Sequence, residues 1–255
     1  MDKENIIIVS NLTKRYKDIS VVNCINFDVK RGEIFGFLGP NGAGKTTTIK
    51  MLTGLIQPTK GTATITGKDI RTQIIEIKKI VGVVTEDSNL YDDISVLDNL
   101  RFVGQLYGVP KVEREKRIGE LLKRFDLEPK QDAKFATLSK GMKRKVTIAA
   151  AFIHSPQVIF LDEPTTGLDV LSARILRAMI KELKALGVTI FLTTHYIEEA
   201  EQLCDRVVIL VKGIVKIVDT PRNLMAMTNS KKLEEAFIEI TGLKEEIMLV
   251  EKEGK

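Results

Sequence analysis

The octapeptide Gly39-Pro40-Asn41-Gly42-Ala43-Gly44-Lys45-Thr46 carries the clearest chemistry in this sequence. Its pattern is G-x-x-x-x-G-K-[ST]: glycines let the backbone curl so that its N–H groups point inward at phosphate oxygens, the lysine reaches the outer phosphates, and the threonine hydroxyl coordinates Mg2+. A second reactive group is Asp162-Glu163-Pro164, two carboxylates directly after the apolar run Val158-Ile159-Phe160-Leu161. Beside a phosphate loop of this kind the first such acid, Asp162, is expected by analogy to hold Mg2+ directly or through water, while Glu163 points the other way and can polarise an attacking water. Burying two acids without metal or partners is costly, which argues against a purely structural pair. His195 stands at the end of the run Val188-Thr189-Ile190-Phe191-Leu192-Thr193-Thr194, where it is a candidate donor to a γ-phosphate, although a lone histidine is commonly a satisfied structural residue.

These groups need a scaffold that brings strand ends together. Residues 33–38 read as a buried strand and 47–52 as the first turns of a helix, the flanks that the glycine loop requires. Residues 80–84 read as a strand running into Thr85-Glu86-Asp87-Ser88-Asn89. Ligands gather at the carboxyl ends of parallel strands, so Glu86 is a candidate neighbour of nucleotide and metal, with a solvated loop carboxylate as the alternative. The run 6–9 and the alternation of Cys24, Asn26 and Asp28 with Ile25, Phe27 and Val29 predict further strands. Between them, Tyr16 offers a flat face for an adenine ring, an interaction of about 0.5–1.5 kcal/mol beyond burial, and reads equally well as a surface tyrosine.

Further elements follow from the pattern. Residues 62–65 predict a strand and 70–79 a helix. Ser95 starts a helix with Leu100, Phe102, Val103, Leu106 and Tyr107 at helical spacing, and Ile118, Leu121, Leu122 and Phe125 form the face of another. No β-signal appears from 95 to 137, which predicts a separate helical subdomain. Ser139 is placed as an N-cap, giving a second candidate anion site, while Lys143, Arg144 and Lys145 read as a solvated face. Asp169 caps a long helix whose apolar stripe is Leu171, Ile175, Leu176, Met179, Ile180, Leu183 and Leu186. A helix over 197–203, a strand over 206–210, a hairpin at Lys212-Gly213, short helices after Pro221 and over 233–238, and a charged tail over 244–255 complete the chain.

Composition bounds the class. With 44% hydrophobic and 29% charged residues in 255, the chain can bury one sizeable core. It has no apolar run of about 18 residues, and Met1-Asp2-Lys3-Glu4-Asn5 lacks a signal-peptide layout, so a cytosolic protein is expected. Cys24 and Cys204 have no metal-ligand spacing and read as reduced fillers. The net charge of +5 points to an anionic membrane surface or to solvated lysines rather than nucleic acid, because the basic residues are scattered and the chain has no Trp and four Tyr.

In their order, from about residue 6 to 242, these pieces resemble the ATP-binding subunit of an ABC transporter. Leu138-Ser139-Lys140-Gly141-Met142 matches the signature usually written L-S-G-G-Q, and Gly167-Leu168-Asp169 matches the D-loop. The resemblance implies an α/β fold: a P-loop NTPase (RecA-like) core with an antiparallel β subdomain and an inserted α-helical subdomain. It implies one nucleotide-binding domain over 1–255, with the core over 1–94 and 156–215, the helical subdomain and signature helix over 95–155, and a C-terminal extension over 216–255. ATP is then held by Tyr16, Gly39, Pro40, Asn41, Gly42, Ala43, Gly44, Lys45, Thr46 and Thr47, with Ser139 and Gly141 acting on the ATP of a head-to-tail partner. Mg2+ falls to Thr46, Glu86 and Asp162, and catalysis to Glu163, His195 and Lys45.

Glu86 stands where the family has a glutamine; it keeps an oxygen and loses the amide donor. Lys140 and Met142 depart from the signature, and S-K-G-M forms, like the ending over 233–242, are familiar in the ABC-2-type exporter branch. The implied partners are a separate transmembrane permease subunit and a second copy or paralogous ATPase, on the cytoplasmic face of the membrane, with no nucleic acid. The alternative is a soluble ABC ATPase acting on ribosomes or DNA; one cassette without sustained heptads favours the transporter. A regulator that binds without hydrolysing is disfavoured by Glu163 and His195 and left open by Glu86.

Overall fold

Alternation along the buried strands builds two cores at once, and this is why those strands read as unbroken apolar runs. The computed structural model describes residues 4–87 and 90–242. Met1, Asp2 and Lys3, residues Ser88 and Asn89, and residues 243–255, which include the charged tail expected over 244–255, lie outside the described residues. In chain order the elements begin with β1 (Asn5–Tyr16), β2 (Ile19–Lys30), β3 (Ile34–Leu38), α1 (Lys45–Leu52), β4 (Lys60–Ile65) and β5 (Lys68–Asp69). Next come α2 (Ile74–Lys78), β6 (Val81–Val84), α3 (Val96–Leu106), α4 (Lys111–Arg124), α5 (Lys140–Phe152), β7 (Val158–Asp162) and α6 (Val170–Ala185). The chain ends with β8 (Thr189–Thr194), α7 (Ile197–Leu203), β9 (Arg206–Val211), β10 (Ile214–Asp219), α8 (Pro221–Met227) and α9 (Leu233–Thr241).

One sheet has the order β10-β9-β3-β8-β7-β6, parallel except for β10; the other is antiparallel, in the order β2-β1-β4-β5. Ile34, Leu38, Ile159, Leu161, Ile190 and Leu192 face the helices on one side of the parallel sheet. Their neighbours Phe35, Phe37, Phe160 and Phe191 face the antiparallel sheet, where Phe27 stacks on Phe35 at 5.6 Å between ring centroids. Each such phenylalanine contributes roughly 1.5–3 kcal/mol by burial. This two-sided burial is the α/β architecture expected of a P-loop core carrying an antiparallel β subdomain.

Helix α3 packs on both α4 and α5, and the three share the helix-side core through Leu100, Ile118, Leu122, Val146 and Ile148. Several boundaries differ from expectation. β1 extends to Tyr16, so the run at 6–9 is only its first part. Of the helix expected over 70–79, only Ile74–Lys78 forms, because Ile70–Gln73 are taken up by a turn on Asp69. Leu171, Ile175 and Leu186 are 67%, 40% and 47% exposed, leaving α6 a narrower stripe of Ala173, Leu176, Met179, Ile180 and Leu183. β10 carries the core sheet past residue 215 to Asp219, and α9 seats Leu233 and Phe237 in the same core.

His154, just after α5, ties the helical segment to the sheet. Its ring stacks on Tyr107 at 3.7 Å between centroids and 4° between planes, and its Nε2–H donates to the Val81 carbonyl at 3.0 Å. Burial, against the pull of that hydrogen bond, lowers its pKa from 6.5 to about 4. The unfolded chain therefore takes up a proton that the folded chain refuses, so stability is full above about pH 6.5 and falls as pH drops toward 4. His154→Gln should remove about 1–3 kcal/mol of that acid-side loss in denaturant titrations run at several pH values. An unchanged pH profile would show that the ring charges freely in the fold.

Candidate functional site

The carboxyl ends of β6, β3, β7 and β8 open onto one cleft, and each delivers one of the sequence-predicted groups. The loop 39–46 follows β3, Glu86 follows β6, Glu163 follows β7 and His195 follows β8. Two glycines show why the loop must be glycine-rich. A side chain at Gly39 would collide with the Leu210 carbonyl, and at Gly44, where φ is 105°, a Cβ would come within 2.7 Å of the Val21 carbonyl. The cleft holds about 500 Å³ and is lined by Asn41, Gly42, Gly44, Lys45, Thr46 and Thr47, with Glu86, Glu163, Thr166 and His195 opposite. Backbone N–H groups at the start of α1 and the positive end of that helix suit it to an anion.

Lys45 is 4% exposed and curls back along its own loop, donating to the carbonyls of Gly39 at 2.9 Å and Pro40 at 3.1 Å. Its ammonium also lies 3.1 Å from Glu163 Oε1. The other oxygen, Oε2, meets His195 Nδ1 at 2.9 Å and accepts from the Thr166 hydroxyl at 3.2 Å. Burial acts to raise the Glu163 carboxyl, but the hydrogen bond and charge of Lys45, with His195, outweigh it and hold the group below the usual carboxylate range. Glu163 is thus an ionised acid at neutral pH, the form a proton acceptor needs.

Asp162 is 4% exposed and accepts from the hydroxyls of Thr46 at 3.2 Å and Thr193 at 2.5 Å. A carboxylate and a hydroxyl on neighbouring elements, both hard oxygen donors, fit Mg2+. The expectation that Asp162 and Glu163 point to opposite sides is corrected here. β7 ends at Asp162, and Glu163 adopts φ 47°, held by its N–H to the carbonyl and hydroxyl of Thr193, each at 3.1 Å. The left-handed turn brings both carboxylates onto the phosphate loop, Asp162 to Thr46 and Glu163 to Lys45.

Other expected groups lie elsewhere. Tyr16 ends β1, is 48% exposed under the Lys14 ammonium at 5.1 Å, and does not line the cleft. Ser139 caps α5 by accepting from the Met142 N–H at 3.3 Å, and Gly141 packs so closely on α6 that a Cβ would come within 2.8 Å of Ser172 Oγ. Both stand on the helical segment, outside the cleft of the same chain. Glu86 is exposed and borders the cleft together with a second cavity of about 270 Å³ lined by Lys140, Lys143 and Arg144. Sequence reasoning missed Thr193, Thr166 and Arg144. Threonine pairs at strand ends are a usable signal for the first two; for the third there was none.

The model of the family described as ABC transporter matches residues 22–166. The chain is 44% identical over 203 residues to the Nod factor export ATP-binding protein I of Burkholderia orbicola, covering 80% of this chain and 67% of that one. With the linearmycin resistance ATP-binding protein LnrL of Bacillus subtilis it shares 39% identity over 214 residues, 84% of this chain and 69% of the other. A solved ATP binding subunit of an ABC transporter superposes with a TM-score of 0.84 at 35% identity, over 92% of this chain and 99% of that one. The chain spans 64% to 69% of the length of the Nod factor and linearmycin relatives.

Proposed function

The chain belongs to the ABC transporter family as an ATP-binding ATPase subunit, and from that premise we propose that it powers an exporter of the ABC-2 type by closing head to tail on a second such subunit. The observation that carries the reading is the convergence of Lys45, Glu163 and His195 beside the phosphate loop. Its relatives are named for export and drug resistance, which supports cargo moving outward. Among the described residues no helix is long and apolar enough to cross a membrane. The membrane path is assigned to a separate permease subunit, with this chain on its cytoplasmic face.

The residues divide the work. The loop 39–47 binds the phosphates through its N–H groups, and Thr46 and Asp162 would hold Mg2+, which would supply positive charge against that of the phosphates. A γ-phosphate offers Lys45 a better partner than Glu163, and Lys45's departure leaves the ionised Glu163 to orient or deprotonate water. His195 keeps that carboxylate aimed through Nδ1, 2.9 Å from it, and its other ring nitrogen is left to face the transferring phosphoryl. Ser139 and Gly141, which do not line their own cleft, serve the ATP of the partner. Tyr16, exposed at the end of β1 and outside the cleft lining, is the ring assigned to adenine.

The test is twofold. Extracted from membranes, the chain should co-purify with a subunit bearing about six apolar spans of roughly 20 residues, and the purified pair should hydrolyse Mg-ATP. Co-sedimentation with ribosomes or DNA and no membrane partner would overturn the transporter reading.

A further inference from the structure

A buried guanidinium joins the helix headed by the signature to the loop that ends in the cleft. Arg144, on α5, is 6% exposed. Its Nη1 donates to the Thr85 carbonyl at 2.6 Å and its Nη2 to the Glu86 carbonyl at 3.0 Å. The two bonds grip consecutive peptide units just past the end of β6, where the chain leaves the sheet. Arg144 also lines the second cavity with Glu86 and Asp87, so the guanidinium faces the acidic loop from beneath.

A fork of parallel donors suits this task as a lysine would not, because it holds two acceptors in fixed geometry. The charge matters as much as the geometry. Glu86 puts a carboxylate on the rim of a cleft that must also admit phosphates, and a like charge there opposes them. Burial works against the Arg144 charge, while Glu86 comes first among the acids that favour it, followed by Asp162 and Asp87.

We propose that Arg144 is a positioning residue: it fixes the backbone that places Glu86 at the cleft and supplies the counter-charge that lets a carboxylate occupy that position. It thereby makes any displacement of α5, and of Ser139 at its head, felt at Glu86. The inference rests on the reading of Glu86 as part of the nucleotide cleft.

The full chain serves for the test, with Arg144→Gln, Arg144→Lys, Glu86→Gln and the Arg144→Gln/Glu86→Gln pair. In Arg144→Gln, amide exchange at residues 86 and 87 should quicken by about 10-fold or more, since the loop loses both anchors. Its kcat should fall by about 10-fold with KM for Mg-ATP within about 2-fold, as for a misplaced group rather than a lost binder. Starting from Glu86→Gln, the same substitution should lower kcat by no more than about 3-fold, the share left to backbone displacement once no carboxylate needs balancing. Arg144→Lys, which keeps charge without the fork, should fall between wild type and Arg144→Gln and also covers the case in which the glutamine variant does not fold. Unchanged exchange at 86 and 87, or equal losses with and without the Glu86 carboxylate, would overturn the proposal. If the unmodified chain paired with its membrane partner shows no turnover at all, the hydrolysis reading fails, and the exchange measurement still decides the clamp.

Discussion

Glu163→Gln should leave Mg-ATP binding within a few-fold of wild type while cutting turnover by roughly 100-fold or more, the usual scale for losing a general base. The substitution is nearly isosteric, so the strained φ of 47° and the two bonds from Glu163 N–H to Thr193 are retained. What disappears is the negative charge that Lys45 and His195 hold ionised. An amide neither accepts a proton from water nor attracts the Lys45 ammonium, now 3.1 Å away. Lys45 is therefore freed for phosphate, and ATP affinity should hold or rise slightly. Equilibrium binding of a fluorescent nucleotide, set against steady-state phosphate release, separates the two effects. Turnover near normal would remove Glu163 from the role of base.

Much of this site was legible because strand ends, glycine loops and caps are local features. Residues 158–161 had to be buried on both faces, and the strand delivers Asp162 where the apolar run stops. Ser139 and Asp169 cap their helices as their spacing predicts, each side chain accepting from an N–H three residues on. The misreadings arise where a rule of period meets a break. Alternation predicted opposed carboxylates, but it ends with the strand, and one left-handed residue turns Glu163 back to the loop. The α6 stripe was drawn too wide because Leu171, Ile175 and Leu186 fit the helical period yet stay exposed, Leu186 just past the helix's last residue. Arg144 was read as a solvated charge since its environment is two backbone carbonyls more than 50 positions away in sequence. No local pattern records such a contact.

Lys45→Ala should weaken Mg-ATP binding by about 10- to 100-fold, on the scale of about 1.5–3 kcal/mol for a hydrogen bond to a charged group. Turnover should fall further, by about another 100-fold, because the lysine's charge acts most strongly on the phosphoryl group as it transfers. The geometry sharpens this beyond a motif argument. Lys45 is buried and satisfies the carbonyls of Gly39 and Pro40 as well as Glu163, so its loss unpairs the loop's own backbone and leaves Glu163 with His195 and Thr166 alone. Without the cation, burial gains the upper hand on the carboxyl, whose pKa should rise. Lys45 and Glu163 are in contact, so the Lys45→Ala/Glu163→Gln pair should lose much less than the sum of the single losses in turnover. Isothermal titration with Mg-ATP and single-turnover hydrolysis on all three variants give the cycle. Strict additivity would mean that the lysine and the glutamate work independently, and the hand-over of Lys45 from carboxylate to phosphate would have to be abandoned.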